Sequence, residues 1–159
     1  SSIPSRSGPS LLGCPTRFSS MPESEATLSG QCYCGALEFK ATTPKPEVIH
    51  CHCKGCRDWT GGIAYSAVPC SFVEFVKGTP KEFQRNGGPT KVFCGDCGTG
   101  ICNKVNFGPF TATVAAGILN ESTSLKTSMH CQLAGKVPWA DTSADGIPTF
   151  KGFPTPGAV

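Results

Sequence analysis

Cysteine is the residue through which this chain offers chemistry. Eleven occur in 159 residues, and seven of them fall in three tight clusters: Cys32-Tyr33-Cys34, Cys51-His52-Cys53-Lys54-Gly55-Cys56 and Cys94-Gly95-Asp96-Cys97. Thiols at C-x-C and C-x-x-C spacing are placed to share a metal ion or to act as redox pairs. A disulfide framework is the competing reading. Against it stand the odd cysteine count, the bunching of the thiols and the lack of a visible hydrophobic signal segment at the N-terminus. Bunched free thiols belong in a reducing compartment, so the expected location is cytoplasmic.

The clusters divide unequally, as two pairs and a triplet. Zinc held by four thiolates is closed and structural, whereas zinc held by three keeps a position for water or substrate. If Cys32 and Cys34 share an ion with Cys94 and Cys97, that ion cross-links the start of the domain to its middle. Such a structural zinc is worth on the order of 10 kcal/mol in small metal-folded domains. Cys51, Cys53 and Cys56 then form a second site with an open position. The alternative is a second closed site, completed by His50, His52, Cys70 or Cys102. His52 lies between two ligands and should point the other way in an extended stretch. Cys70 and Cys102 stand in apolar strand contexts, where a lone cysteine is usually a small buried hydrophobe. With Cys131, they leave a fourth protein ligand open. The expectation is two Zn²⁺ per chain, one structural and one catalytic.

The elements that must hold these thiols read as short strands. Gly 19 and Pro 14 make the chain turn-rich. Strand-like runs begin at Leu28 and include Ala36 to Lys40, Ala64 to Val68 and Phe72 to Val76. Lys81 to Arg85 pairs with Lys91 to Phe93 across Asn86-Gly87-Gly88-Pro89. Phe110 to Leu119 and Leu125 to Leu133 complete the set, with a single helical turn after Cys56. The fold class is mainly β: one zinc-containing domain of short antiparallel strands and hairpins over 27–155, preceded by an N-terminal extension over 1–26. Ser1 to Ser20 is serine-rich, with Arg6, Arg17 and no acidic residue, which resembles a transit peptide. Met21-Pro22-Glu23 favours reading it as an upstream extension.

Composition excludes more than it selects. Hydrophobic residues are 38% and charged residues 16%, which argues for a folded domain over a disordered chain. A net charge of +3, with scattered Lys and Arg, does not make a nucleic-acid surface. No apolar run reaches the roughly 20 residues needed to span a bilayer. Neither nucleic acid nor membrane is expected as a partner, and the oligomeric state is not legible.

Three stretches together resemble a known family. Gly30-Gln31-Cys32-Tyr33-Cys34-Gly35, Cys51-His52-Cys53-Lys54-Gly55-Cys56-Arg57 and Phe93-Cys94-Gly95-Asp96-Cys97-Gly98-Thr99 are similar to the glutathione-dependent formaldehyde-activating enzymes, a family that includes centromere protein V. The likeness extends to Val68-Pro69, Phe72 and Lys77-Gly78, and to the tail from His130 through Trp139 to Pro148 and Phe150. The resemblance implies a β-rich zinc fold with the four-cysteine site paired as above. It also implies a second zinc on Cys51, Cys53 and Cys56 where the thiol of glutathione, the cosubstrate, or of its adduct would bind. The family's named activity is reversible carbon–sulfur bond formation between formaldehyde and glutathione, so the resemblance implies a small-molecule thiol or thioether as partner. Beside that site, Arg57 is the candidate for a glutathione carboxylate, through a bidentate contact. His130 titrates in the useful range and is the candidate acid–base residue. Asp58 and Tyr65 follow behind it, and Trp139 is expected to pack or to line a pocket wall. The function expected is a carbon–sulfur lyase or synthase acting on glutathione adducts. The alternative is a non-catalytic zinc module engaging chromatin or cytoskeleton, which would be expected to carry a long basic or proline-rich extension.

Overall fold

The computed structural model describes residues 25–142 and 144–154. In chain order the elements are β1 (Ala26–Gln31), β2 (Glu38–Thr43), β3 (Glu47–Cys51), α1 (Lys54–Thr60), β4 (Tyr65–Cys70), β5 (Phe72–Lys77), β6 (Lys81–Gln84), β7 (Thr90–Phe93), β8 (Gly100–Phe107), β9 (Phe110–Ala115) and β10 (Lys126–Cys131). The fold is mainly β, as expected. Almost all of the expected extension, including Cys14, lies outside the described residues, and so does residue 155.

Strands β1, β2 and β5 form a small antiparallel sheet. The other seven form a large sheet in the order β10-β3-β4-β9-β8-β7-β6. The small sheet covers one face of the large one. Leu28, Phe39 and Ala41 from the small sheet meet Val68, Cys70, Ile101 and Val114 from the large one in a single buried cluster. Burying side chains such as Phe39 and Val68 contributes about 1.5–3 kcal/mol each, which is what joins the two layers. Cys70 and Cys102 belong to this core, as small buried hydrophobes.

Strand alternation decides what the other face carries. On β4, Val68 and Cys70 turn to the core, while Tyr65 and Ala67 join Cys51, Cys56 and Cys131 in a second cluster. The large sheet therefore has a packed face and a face that carries the thiol triplet.

β3 and β8 were not among the expected runs, and three further details differ from the sequence reading. β10 runs parallel to β3, pairing His130 with His50 and Cys131 with Cys51, so one edge of an otherwise antiparallel sheet breaks the rule. The run from Phe110 stops at Ala115 and turns into a 3-10 helix at Ala116–Ile118. The helix begins at Lys54, before Cys56, because Cys53 caps it: the Cys56 amide lies 3.4 Å from the Cys53 sulfur and 3.1 Å from its carbonyl oxygen. Gly61, at φ 67°, ends it in the left-handed region that glycine tolerates.

Candidate active site

The four-thiol site closes where the two sheets meet. Cys32 and Cys34 occupy the β1–β2 turn of the small sheet, and Cys94 and Cys97 the β7–β8 turn of the large one. All four sulfurs lie within 4.8 Å of one another. Cys32 and Cys34 Sγ are 3.5 Å apart, and Cys34 and Cys94 Sγ 3.9 Å. A tetrahedron with Zn–S bonds of about 2.3 Å has edges of about 3.8 Å, close to these two spacings, so the four thiols could hold a zinc ion. Backbone bonds shape both knuckles. Leu37 N donates to Cys32 Sγ at 3.2 Å, and Gly98 N donates to the Cys94 carbonyl at 2.9 Å. Gly98 sits at φ 78°, where a side chain would be strained. At Gly95 a Cβ would meet only the flexible Lys81 side chain, at 2.8 Å, which can swing aside. A hydrogen bond with the Thr99 hydroxyl helps bring the Cys97 thiol down to about 6.

The second group is the triplet Cys51, Cys53 and Cys56, whose sulfurs also lie within 4.8 Å of one another. Cys51 ends β3, Cys53 caps α1 and Cys56 sits in its first turn. Hydrogen bonds from Cys131 and then Cys56 hold the Cys51 thiol well below its ordinary range, and the same bonds push Cys131 and Cys56 up. Three clustered soft sulfur donors are a set that a thiophilic cation fits. Gly135 lies close behind the knuckle, where a Cβ would come within 3.1 Å of both the Cys53 Cα and the His52 carbonyl.

Of the three spare thiols left open as a fourth ligand, Cys70 and Cys102 lie in the core and Cys131 alone reaches the triplet. Pairing of β10 with β3 lays it beside Cys51, fully buried. It stands outside the group of three mutually close sulfurs. Only the parallel pairing brings Cys131 there, and no spacing rule announces it.

The three histidines of the chain meet on the face of β3 opposite the triplet. His52 Nε2 and His130 Nδ1 share a hydrogen bond of 2.9 Å, and His130 Nε2 reaches Asp145 Oδ2 at 2.9 Å. His50 stacks on His130 with ring centroids 4.9 Å apart. His52 thus points away from the triplet, as its position between two ligands implied. Burial lowers the pKa of both His50 and His52.

Two pockets adjoin the triplet. A smaller one of about 260 Å³ reaches Cys53 and Cys56 and is bordered by Asp58, Trp59, Arg85 and Lys91. A larger one of about 550 Å³ reaches all three cysteines. Its floor is the open face of the large sheet, and its wall is mostly apolar. Arg57 and His130 line neither pocket, and the Arg57 Nε is buried without a hydrogen-bond partner. Tyr65 donates its hydroxyl to the Thr113 carbonyl at 2.8 Å, and burial raises its pKa. Asp58 is held by Lys54 at 2.7 Å and lies near Arg85. Trp139 is 73% exposed and lines neither pocket, against the expectation that it packs or walls one.

The fold is mainly β and carries two cysteine groups, one of four thiols and one of three, each able to hold a metal ion. Residues 27–134 match the family described as glutathione-dependent formaldehyde-activating enzyme. The chain belongs to that family. It is 32% identical over 81 residues to an uncharacterized lyase of Schizosaccharomyces pombe, an alignment covering 50% of this chain and 56% of that protein. The chain thus spans little more than half the length of that curated relative. A Rhodobacter sphaeroides protein of known crystal structure is similar with a TM-score of 0.48 and 19% identity, over 77% of this chain and 98% of that one. No helix among the described residues is long and apolar enough to cross a membrane.

Proposed function

We propose that this chain is a zinc-dependent carbon–sulfur lyase, acting in either direction on adducts between glutathione and a small electrophile. The observation that carries the reading is the asymmetry of the two cysteine groups: four sulfurs gather at the junction of the sheets, while three lie at the mouth of two pockets. Family membership and the lyase name of the yeast relative support it.

Cys51, Cys53 and Cys56 would hold the catalytic zinc, and Cys32, Cys34, Cys94 and Cys97 the structural one. Zinc at the triplet supplies positive charge that keeps a substrate thiol deprotonated at neutral pH. In the synthetic direction the sulfur lone pair of glutathione forms the bond to an aldehyde carbon. The carbonyl π pair moves to oxygen, which takes up the proton given by the thiol. Cleavage is the reverse, and neither direction needs an oxidant or reductant.

Arg85 and Lys91 border the smaller pocket and are the cations on hand for the carboxylates of glutathione. Asp58 already serves Lys54, so Arg85 at 3.8 Å leaves charge to spare. His130 acts in this reading as a positioning residue, linking Asp145 to His52 and so steadying the backbone between Cys51 and Cys53.

Cobalt-substituted protein tests the reading. Glutathione should increase sulfur-to-metal charge-transfer absorption, and an analogue with serine in place of cysteine should not. A cobalt spectrum indifferent to glutathione overturns the proposal.

A further inference from the structure

We infer that the carbon side of the adduct is a bulky apolar group, aryl or long alkyl, rather than a one-carbon unit. The inference rests on the glutathione reading above and names the electrophile class it leaves open.

The argument starts from sheet periodicity. Alternation turns Ile49 of β3, Ala67 of β4 and Val105 and Phe107 of β8 onto the triplet's face of the large sheet, where they line the larger pocket. The small sheet covers only the opposite face. The C-terminal tail is tied back beside β10, with Phe150 N donating to the His130 carbonyl at 2.8 Å and Gln132 N to the Gly152 carbonyl at 3.1 Å. This delivers Phe153 onto Phe107, with ring centroids 6.0 Å apart. Both rings remain well exposed, Phe107 at 39% and Phe153 at 55%. Two aromatics held together at a pocket mouth without being buried form an apolar wall that lacks an occupant.

Size and charge say which half of the adduct belongs there. At about 550 Å³, the pocket falls in the range of roughly 300–1,000 Å³ that accommodates drug-sized ligands. A hydroxymethyl group would leave nearly all of it empty. Both pockets have mostly apolar walls, so cations must tell them apart: the glutathione half carries two carboxylates, whose burial without a partner is costly. Its charges match the smaller pocket, where Lys91 stands over Trp59 at 5.6 Å and Arg85 shares Asp58 with Lys54. The one lysine of the larger pocket, Lys104, is already paired with Glu82 at 2.5 Å. The two pockets meet at Cys53 and Cys56, which line both. An adduct whose sulfur lies at the triplet would send its peptide into one pocket and its carbon substituent into the other.

Calorimetric titration of the zinc-loaded protein with glutathione, S-methylglutathione and S-hexylglutathione tests this. The hexyl conjugate should bind at least tenfold more tightly than the methyl one. Phe153→Ala and Phe107→Ala should each reduce that ratio at least threefold, with S-methylglutathione affinity little changed. If glutathione binds but the two thioethers bind equally, the bulky-substituent inference falls and the glutathione reading stands. A tenfold ratio that survives both phenylalanine variants also overturns the assignment to this pocket. If neither glutathione nor its conjugates bind, the glutathione reading falls and takes this inference with it.

Discussion

The two cysteine groups begin alike and end differently. In each, a strand runs into a C-x-C step: Cys32 and Cys34 after β1, Cys51 and Cys53 at the end of β3. After the first, a knuckle from the other sheet stands opposite and supplies Cys94 and Cys97. After the second, the chain enters α1, contributes Cys56, and faces the open side of the large sheet. Burial does not separate them, since each group mixes buried and more accessible thiols. What separates them is the segment opposite, a second knuckle in one case and a pocket in the other. A role for a metal can thus be read from what completes its surroundings as well as from its ligands.

The largest expected effect breaks the comparison into its two halves. Cys94→Ser removes one thiol of the four at the junction of the sheets, the proposed structural zinc site, and a structural zinc is worth on the order of 10 kcal/mol. Total domain stability is about 5–15 kcal/mol. The variant should lose its cooperative thermal transition. Cys53→Ser should keep that transition and a folded circular dichroism spectrum, with metal analysis falling from two zinc ions per chain to one. Equal unfolding of the two variants would make the triplet structural too.

Cys131 sharpens the comparison at the next level down. If it hydrogen-bonds Cys51 without ligating metal, Cys131→Ala costs about 2 kcal/mol, as for a lost hydrogen bond to a charged group. Chemical denaturation should read that loss while zinc stoichiometry stays at two. Loss of one zinc would instead identify Cys131 as a fourth ligand and close the open position.

Two glycines give a smaller and more local contrast. Gly98→Ala places a Cβ at positive φ with no atom within 4 Å, so strain alone acts, costing about 1 kcal/mol. Gly135→Ala has no such backbone strain but pushes on the Cys53 knuckle. The first should lower the melting temperature by a few degrees and leave the triplet metal unaffected. The second should weaken that metal in a chelator competition, with a smaller change in melting. Reversed effects would mean that the two knuckles do not act independently.

How much of this was legible beforehand follows from the range of each signal. Cysteine spacing is local, so the membership of both groups could be read directly, as could the β6–β7 hairpin across Asn86-Gly87-Gly88-Pro89. β3 was hidden because its five residues run straight from Pro46 into the knuckle. β8 was hidden because it starts at Gly100, immediately beyond the other knuckle. The parallel β3–β10 pair joins residues about eighty positions apart, and local pattern carries no information on such pairing. What that pair organises was therefore not placed: Cys131 was named as a spare thiol able to complete the triplet but not set beside Cys51, and the meeting of all three histidines and the tail that brings Phe153 to the pocket were missed. The cations that border the smaller pocket, Arg85 and Lys91, flank the hairpin turn and reach the triplet only through the curl of the sheet.

The smallest expected effect concerns those cations. Arg57 stands next to Cys56 in sequence and was the natural candidate for a glutathione carboxylate, yet it lines neither pocket. Arg85 lines the smaller pocket and is 69% exposed on its side chain. An exposed ion pair contributes about 0.2–1 kcal/mol, which corresponds to a loss of about 1.4- to fivefold in glutathione affinity for Arg85→Ala. The loss should shrink as ionic strength rises to about 1 M, where the screening length falls to about 3 Å. Arg85→Lys should retain most of the binding if the contact is a point charge, and little of it if the contact is bidentate. Arg57→Ala should then alter stability more than affinity, because part of its side chain is buried. Titration of all three variants with glutathione at low and high salt would separate these outcomes. A salt-sensitive loss with Arg57→Ala and none with Arg85→Ala would return the carboxylate contact to the residue beside the knuckle.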